Sequence, residues 1–144
     1  MKILVACDHA GFDMKMQLLQ SGLFDGHDVE DFGTNSADSM DYPDAIHPLA
    51  SRVDRGEADL GIILCGSGNG VNMTANKYSN VRSGLCWQRN IAELARQHNN
   101  ANVMALPARF MDLEEAKACV DAFLNTVFEG GRHQRRVEKI SKTC

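Results

Sequence analysis

Apolar and polar positions change their spacing several times along the chain, and each change marks an element. "KILVACD" (2–8) is an apolar run of strand length that stops at Asp8. Phe12, Met16 and Leu19 then recur at i, i+4 and i+7, the spacing of one helix face. "HDVEDFG" (27–33) alternates more weakly and predicts a second strand. Residues 41–58 read as a helix with Pro43 in its first turn. Pro48 removes a hydrogen bond and crowds the preceding turn, so a kink or a helix start is expected there. "LGIILCG" (60–66) is the most apolar strand; glycines follow it, then a helix over 71–77. "VRSGLCW" (81–87) precedes a helix over 88–98. "NVMALPA" (102–108) precedes a helix over 112–128 with Ala116, Val120, Phe123 and Val127 on one face. Residues 130–144 form a basic C-terminal helix or tail.

Five strands alternating with helices predict a doubly wound, Rossmann-like α/β domain, a parallel sheet covered on both faces. The common strand order 2-1-3-4-5 is the expectation, with the whole chain, 1–144, as one domain. In such sheets ligands bind beyond the carboxyl ends of the strands, where the order reverses. That crevice lies between strands 1 and 3, which end in Cys7-Asp8-His9 and Cys65-Gly66-Ser67.

Composition narrows the choice of partners. A net charge of −4 argues against nucleic acid or an anionic membrane. No apolar stretch approaches the roughly 20 residues of a membrane span, and the N-terminal run ends in a charge rather than a signal cleavage site. The five cysteines (Cys7, Cys65, Cys86, Cys119, Cys144) are odd in number and contain no CxxC pair, which argues against a disulfide framework or zinc ribbon. A reduced cytoplasmic compartment is the default. Cys7, Cys86 and Cys119 sit in apolar patterns and belong to the core, and the terminal Cys144 reads as inert.

"CGSGNG" (65–70) is neither a dinucleotide fingerprint, since it follows the third strand and has Val71 at the last glycine position, nor a P-loop, since it lacks Gly-Lys-Ser/Thr. It offers backbone N–H groups leading into a helix N-terminus, suited to an anion or oxyanion; a tight packing turn is the other reading. Cys65 is either a small buried apolar residue or a thiolate favoured by that helix end. Asp8-His9 either cap the next helix or handle hydroxyls and protons. His98-Asn99 close a helix, where a histidine complements the dipole or does acid–base work. Arg132 and Arg136, four apart, either grip a phosphate or form a solvated face.

Taken together, "ACDHAGF", "GTNSADSMDYPD", "ILCGSGNGVNMTANK", "ARQHNNANVMAL" and "FEGGRHQRRVEKI" resemble the ribose-5-phosphate isomerase B family over nearly the whole chain. The resemblance implies interconversion of ribose 5-phosphate and ribulose 5-phosphate through an enediolate. It implies a homodimer, or a dimer of dimers, with sites shared between subunits; no cofactor is expected, and no metal, because nothing has zinc-ligand spacing and the glycine loop already supplies oxyanion donors. Cys65 falls where one branch carries the proton-shuttling base; Val71 stands where other members carry a glutamate. By the same resemblance Gly66, Ser67, Gly68, Asn69 and Gly70 hold the oxyanion and hydroxyls, and His98 assists ring opening. Asp8 and His9 contact the sugar or phosphate, Asn99 orients the substrate, and Arg109, Arg132 and Arg136 hold the phosphate. Pro48 departs from the family's usual helix. Two rivals remain: an isomerase of allose or galactose 6-phosphate, and a non-catalytic sugar-phosphate sensor on the same fold.

Overall fold

The computed structural model describes residues 1–142, so the terminal Cys144 lies outside the described residues. Five strands form one all-parallel sheet: β1 (Lys2–Cys7), β2 (Asp28–Asp31), β3 (Leu60–Cys65), β4 (Ser83–Leu85) and β5 (Val103–Pro107). A single 3-10 turn, His9–Gly11, leads from β1 into α1 (Phe12–Leu19). The other helices are α2 (Tyr42–Asp54), α3 (Asn69–Ala75), α4 (Arg89–Asn99), α5 (Leu113–Asn125) and α6 (Arg132–Val137).

Strand side chains alternate between two cores, as the pleat requires. Ile3, Val5, Cys7, Ile62, Leu64, Met104 and Leu106 pack with α1, α4 and α5. Leu4, Ala6, Ile63, Cys65, Val103 and Ala105 pack with α2 and α3. Both faces of the sheet are therefore covered, as expected. No helix among the described residues is long and apolar enough to cross a membrane.

The strand order is β2-β1-β3-β5-β4 rather than 2-1-3-4-5. The reason is burial. Every residue of β5 is buried, which a central strand demands, whereas the three residues of β4 are only partly covered and suit an edge. The exchange affects the far edge alone, and β1 still pairs with β3 from Ile3↔Leu60 to Cys7↔Leu64, so the reversal point stays between them. At the β4 edge, the Asn76 carboxamide takes both outward groups of Ser83: Nδ2 donates to its carbonyl and Oδ1 accepts its N–H, each at 2.9 Å.

Other expectations need correction. α2 runs continuously through Pro48, so the helix does not begin there. α5 ends at Asn125 and leaves Val127 77% exposed, off the apolar face. The fully buried residues of α1 are Lys15 and Leu18; Phe12 and Leu19 are partly buried and pack against the same core. The Lys15 ammonium is fully buried because it meets both oxygens of Asp31 (2.6 and 2.7 Å) and the Thr34 carbonyl (2.8 Å).

Candidate active site

The adjacent ends of β1 and β3 carry the first group of candidate residues. Asp8 caps the 3-10 turn: its Oδ1 accepts the N–H groups of Ala10 (2.9 Å) and Gly11 (3.1 Å). Capping is thus one role of Asp8. Gly11 is needed because a Cβ there would meet Leu64 Cβ at 2.7 Å, so the turn lies flush on β3. His9 Nδ1 accepts the N–H of Met40 at 3.3 Å, tying the 34–41 loop to the strand ends.

β3 ends at Cys65, whose sulfur accepts the N–H of Gly68 at 3.1 Å. That bond needs Gly68 at φ +74°, a left-handed conformation, against Leu85 and the Leu106 carbonyl carbon. The Asn69 N–H bonds to Ser67 Oγ at 3.3 Å. Two of the five N–H groups expected for an oxyanion are therefore used internally. Those of Gly66, Ser67 and Gly70 have no protein partner among the described residues. The turn is walled by Arg109, whose side chain lies against Gly66, and by the ring of Tyr42, which covers Gly70. Tyr42 was missed from sequence; its only signal was its place in "MDYPD", opening α2.

Burial pushes the Cys7 thiol up to about 11, and the Cys86 and Cys119 thiols up to about 12. These three stay protonated at neutral pH, in keeping with their place in the core.

A second group forms at the end of α4. The His98 and His133 imidazoles stack with centroids 4.2 Å apart and planes within 6°. Nε2 of each faces Glu129 Oε2, at 3.8 Å for His98 and 3.7 Å for His133. Arg132 Nε donates to His133 Nε2 at 3.3 Å. Burial first, then His98 and Arg132, hold His133 below the usual histidine range. Sequence reading missed Glu129 and His133 as members of this group, although they are four apart in "EGGRH". Asn99 ends α4 and lines a cavity of about 270 Å³ with Arg82, Ser83 and Ile140.

The three ligand atoms of His98, Glu129 and His133 lie within 4.8 Å of one another, a span that a metal ion can bridge. The donor directions fit one poorly. Parallel rings send their lone pairs side by side instead of to one point, and Arg132 occupies that of His133. Arg109, Arg132 and Arg136 are exposed and have no carboxylate partner among the described residues. No hydrogen bond or ion pair among the described residues joins the Cys65 group to the His98 group.

The model of one family, described as Ribose/Galactose Isomerase, matches residues 3–140. Ribose-5-phosphate isomerase B of Escherichia coli (strain K12) is 44% identical over 140 residues, covering 97% of this chain and 94% of that protein. A ribose 5-phosphate isomerase from Thermotoga maritima superposes with a TM-score of 0.94 at 46% identity, over 99% of this chain and 98% of that one. The ribose-5-phosphate isomerase B of Mycoplasma genitalium, solved with ribulose-5-phosphate bound, gives 0.92 at 43% identity, over 97% and 93%. With its parallel sheet, glycine turn and full-length matches, the chain belongs to the Ribose/Galactose Isomerase family.

Proposed function

We propose that the whole chain acts as one domain that interconverts ribose 5-phosphate and ribulose 5-phosphate, with Cys65 as the base. The observation that carries this reading is the Cys65 sulfur, held by the Gly68 N–H beside the reversal point of the sheet. Ring opening moves a proton from the O1 hydroxyl to the ring oxygen as the C1–O4 bond breaks, with His98 exchanging protons. The Cys65 thiolate then takes the proton from C2. The electron pair forms the C1–C2 double bond of an enediolate, and charge develops on O1. The N–H groups of Gly66, Ser67 and Gly70, which have no protein partner among the described residues, stabilise that charge. Transfer of the O2 proton to O1, with return of the carbon-bound proton from Cys65 to C1, gives the ketose. Asp8, His9, Asn69 and Asn99 orient the sugar, and Arg109, Arg132 and Arg136 hold the phosphate.

The separation of the Cys65 and His98 groups supports a site completed by a second copy. Met73 (64%), Trp87 (50%) and Phe110 (76%) stay exposed on the segments after β3, β4 and β5, large apolar side chains available to such a contact. The four described cysteines are unpaired, which suits a reducing cytoplasm.

Incubation with ribose 5-phosphate and detection of ketose tests the activity. A higher kcat/KM for allose or galactose 6-phosphate would replace the substrate, and no turnover of any of them would leave a binding protein.

A further inference from the structure

A histidine that moves protons must present one defined nitrogen to its substrate, and the hydrogen bond at the other nitrogen decides which. The loop after α5 brings a carboxylate to His98, with Glu129 Oε2 3.8 Å from its Nε2. The Glu129 N–H donates to the Gln97 carbonyl at 3.0 Å, pinning Glu129 beside the last turn of α4. Gly130 (φ +66°) and Gly131 (φ +53°) then reverse the chain through backbone that other residues rarely adopt. The His133 N–H bonds to the Gly130 carbonyl at 2.9 Å, which returns the His133 ring over His98.

The hydrogen-bonding roles of the two rings then differ. Arg132 Nε donates to His133 Nε2, so that nitrogen carries a lone pair and the proton sits on Nδ1. The His98 Nε2 faces the Glu129 carboxylate, which favours an N–H at that nitrogen. Because both Nε2 atoms face the same carboxylate oxygen, the rings stack in the same sense. Opposite tautomers set the N–H dipole of one ring over the lone pair of the other; identical tautomers would set like dipoles together. The His98 ring makes no hydrogen bond to the described residues and its charged contact is at Nε2, so its Nδ1 is left open.

We propose that Glu129 and His133 are positioning residues for His98: the stack fixes the plane of the ring, and Glu129 holds the proton on Nε2 so that Nδ1 faces the sugar. This rests on the reading of His98 as the group that exchanges protons during ring opening. The charged groups around the pair are Glu129, Arg132 and Arg136, and the Arg132 bond to His133 leaves the carboxylate to His98.

Long-range ¹H–¹⁵N spectra of ligand-free protein with labelled histidine, recorded above neutral pH, read the tautomers directly. Spectra of His98→Asn and His133→Gln assign the two rings. The expected result is an Nε2–H pattern for His98 and an Nδ1–H pattern for His133, with ring protons of both moved upfield by the stack. An Nδ1–H pattern for His98, or the averaged mixture of free histidine, overturns the proposal. Glu129→Ala, at a half-exposed position, should release the tautomer and lower kcat by about ten- to a hundredfold with KM little changed. Glu129→Gln, which keeps an acceptor oxygen, should restore the tautomer and most of kcat. An unchanged kcat in Glu129→Ala also overturns the proposal. If His98→Asn keeps full turnover while the tautomers are as expected, the ring-opening role of His98 fails and the tautomer assignment stands.

Discussion

The sulfur of Cys65 accepts the backbone N–H of Gly68, at 3.1 Å, at the point where β3 gives way to α3. An N–H aimed at sulfur at a helix start suits thiolate chemistry, and Cys65 lies outside the core that holds Cys7, Cys86 and Cys119. Cys65→Ala should fold normally and lose about 10²–10⁴-fold in turnover. Wild type should exchange solvent deuterium into C2 of ribose 5-phosphate and the variant should not. Full activity in Cys65→Ala would move the base elsewhere.

The separation of the Cys65 and His98 groups makes subunit complementation the test of a shared site. Homodimers of Cys65→Ala and of His98→Asn should each be nearly inactive. Random exchange makes about half of the dimers mixed, each with one intact site, so roughly a quarter of wild-type activity should return. Exchange verified by mass spectrometry without recovered activity would place both residues in one subunit's site.

Full activity is expected after dialysis against EDTA, because the His98–Glu129–His133 geometry serves a stacked pair better than an ion. Activity lost on dialysis and restored by zinc would show that the trio rearranges around a metal.

Alkaline pH should weaken the fold. Cys7, Cys86 and Cys119 are raised from 9.0 to about 11, 12 and 12 by burial, so between pH 9 and these values the folded chain holds protons that the unfolded chain has released. Their contribution is complete below pH 9 and is lost as pH rises through 11–12. Urea midpoints should fall from pH 8.5 to pH 11, and Cys119→Ala should flatten that slope. An equal slope in the variant would contradict the buried-thiol account.

Lys15→Ala should cost about 3 kcal/mol, the low end for breaking a buried ion pair, because the Asp31 side chain is 30% exposed and regains some solvent. Urea denaturation of Lys15→Ala, Asp31→Ala and the double variant separates the pair's coupling from the loss of packing. Additive effects would show that the pair contributes no coupling.

Strands β1 and β3 were legible because continuous apolar runs end abruptly at Asp8 and at the glycines. The order of β4 and β5 also had a signal: "NVMALPA" is apolar on both faces and "VRSGLCW" is not, a difference that the usual strand order masks. Lys15 had none, since a lysine in a helical pattern reads as solvent-facing and its partner lies 16 positions away. The glycine turn was found by composition, yet the internal use of two of its N–H groups depends on the positive φ of Gly68. Glu129 and His133 show their four-residue spacing in sequence, but their meeting with His98 depends on the reversal at Gly130 and Gly131.

The carboxamide of Asn76 behaves toward Ser83 as a one-residue strand would. An exposed sheet edge is a template for any other extended chain, and proteins guard it with charge, shortness or a covering group. Here β4 is short, and the outward N–H and carbonyl of Ser83 are already taken by a side chain from the end of α3. Since α3 begins at the glycine turn, the segment that frames Cys65 also keeps the sheet from adding a foreign strand. Resistance to edge-to-edge aggregation and the placement of the reactive sulfur thus depend on opposite ends of one seven-residue helix.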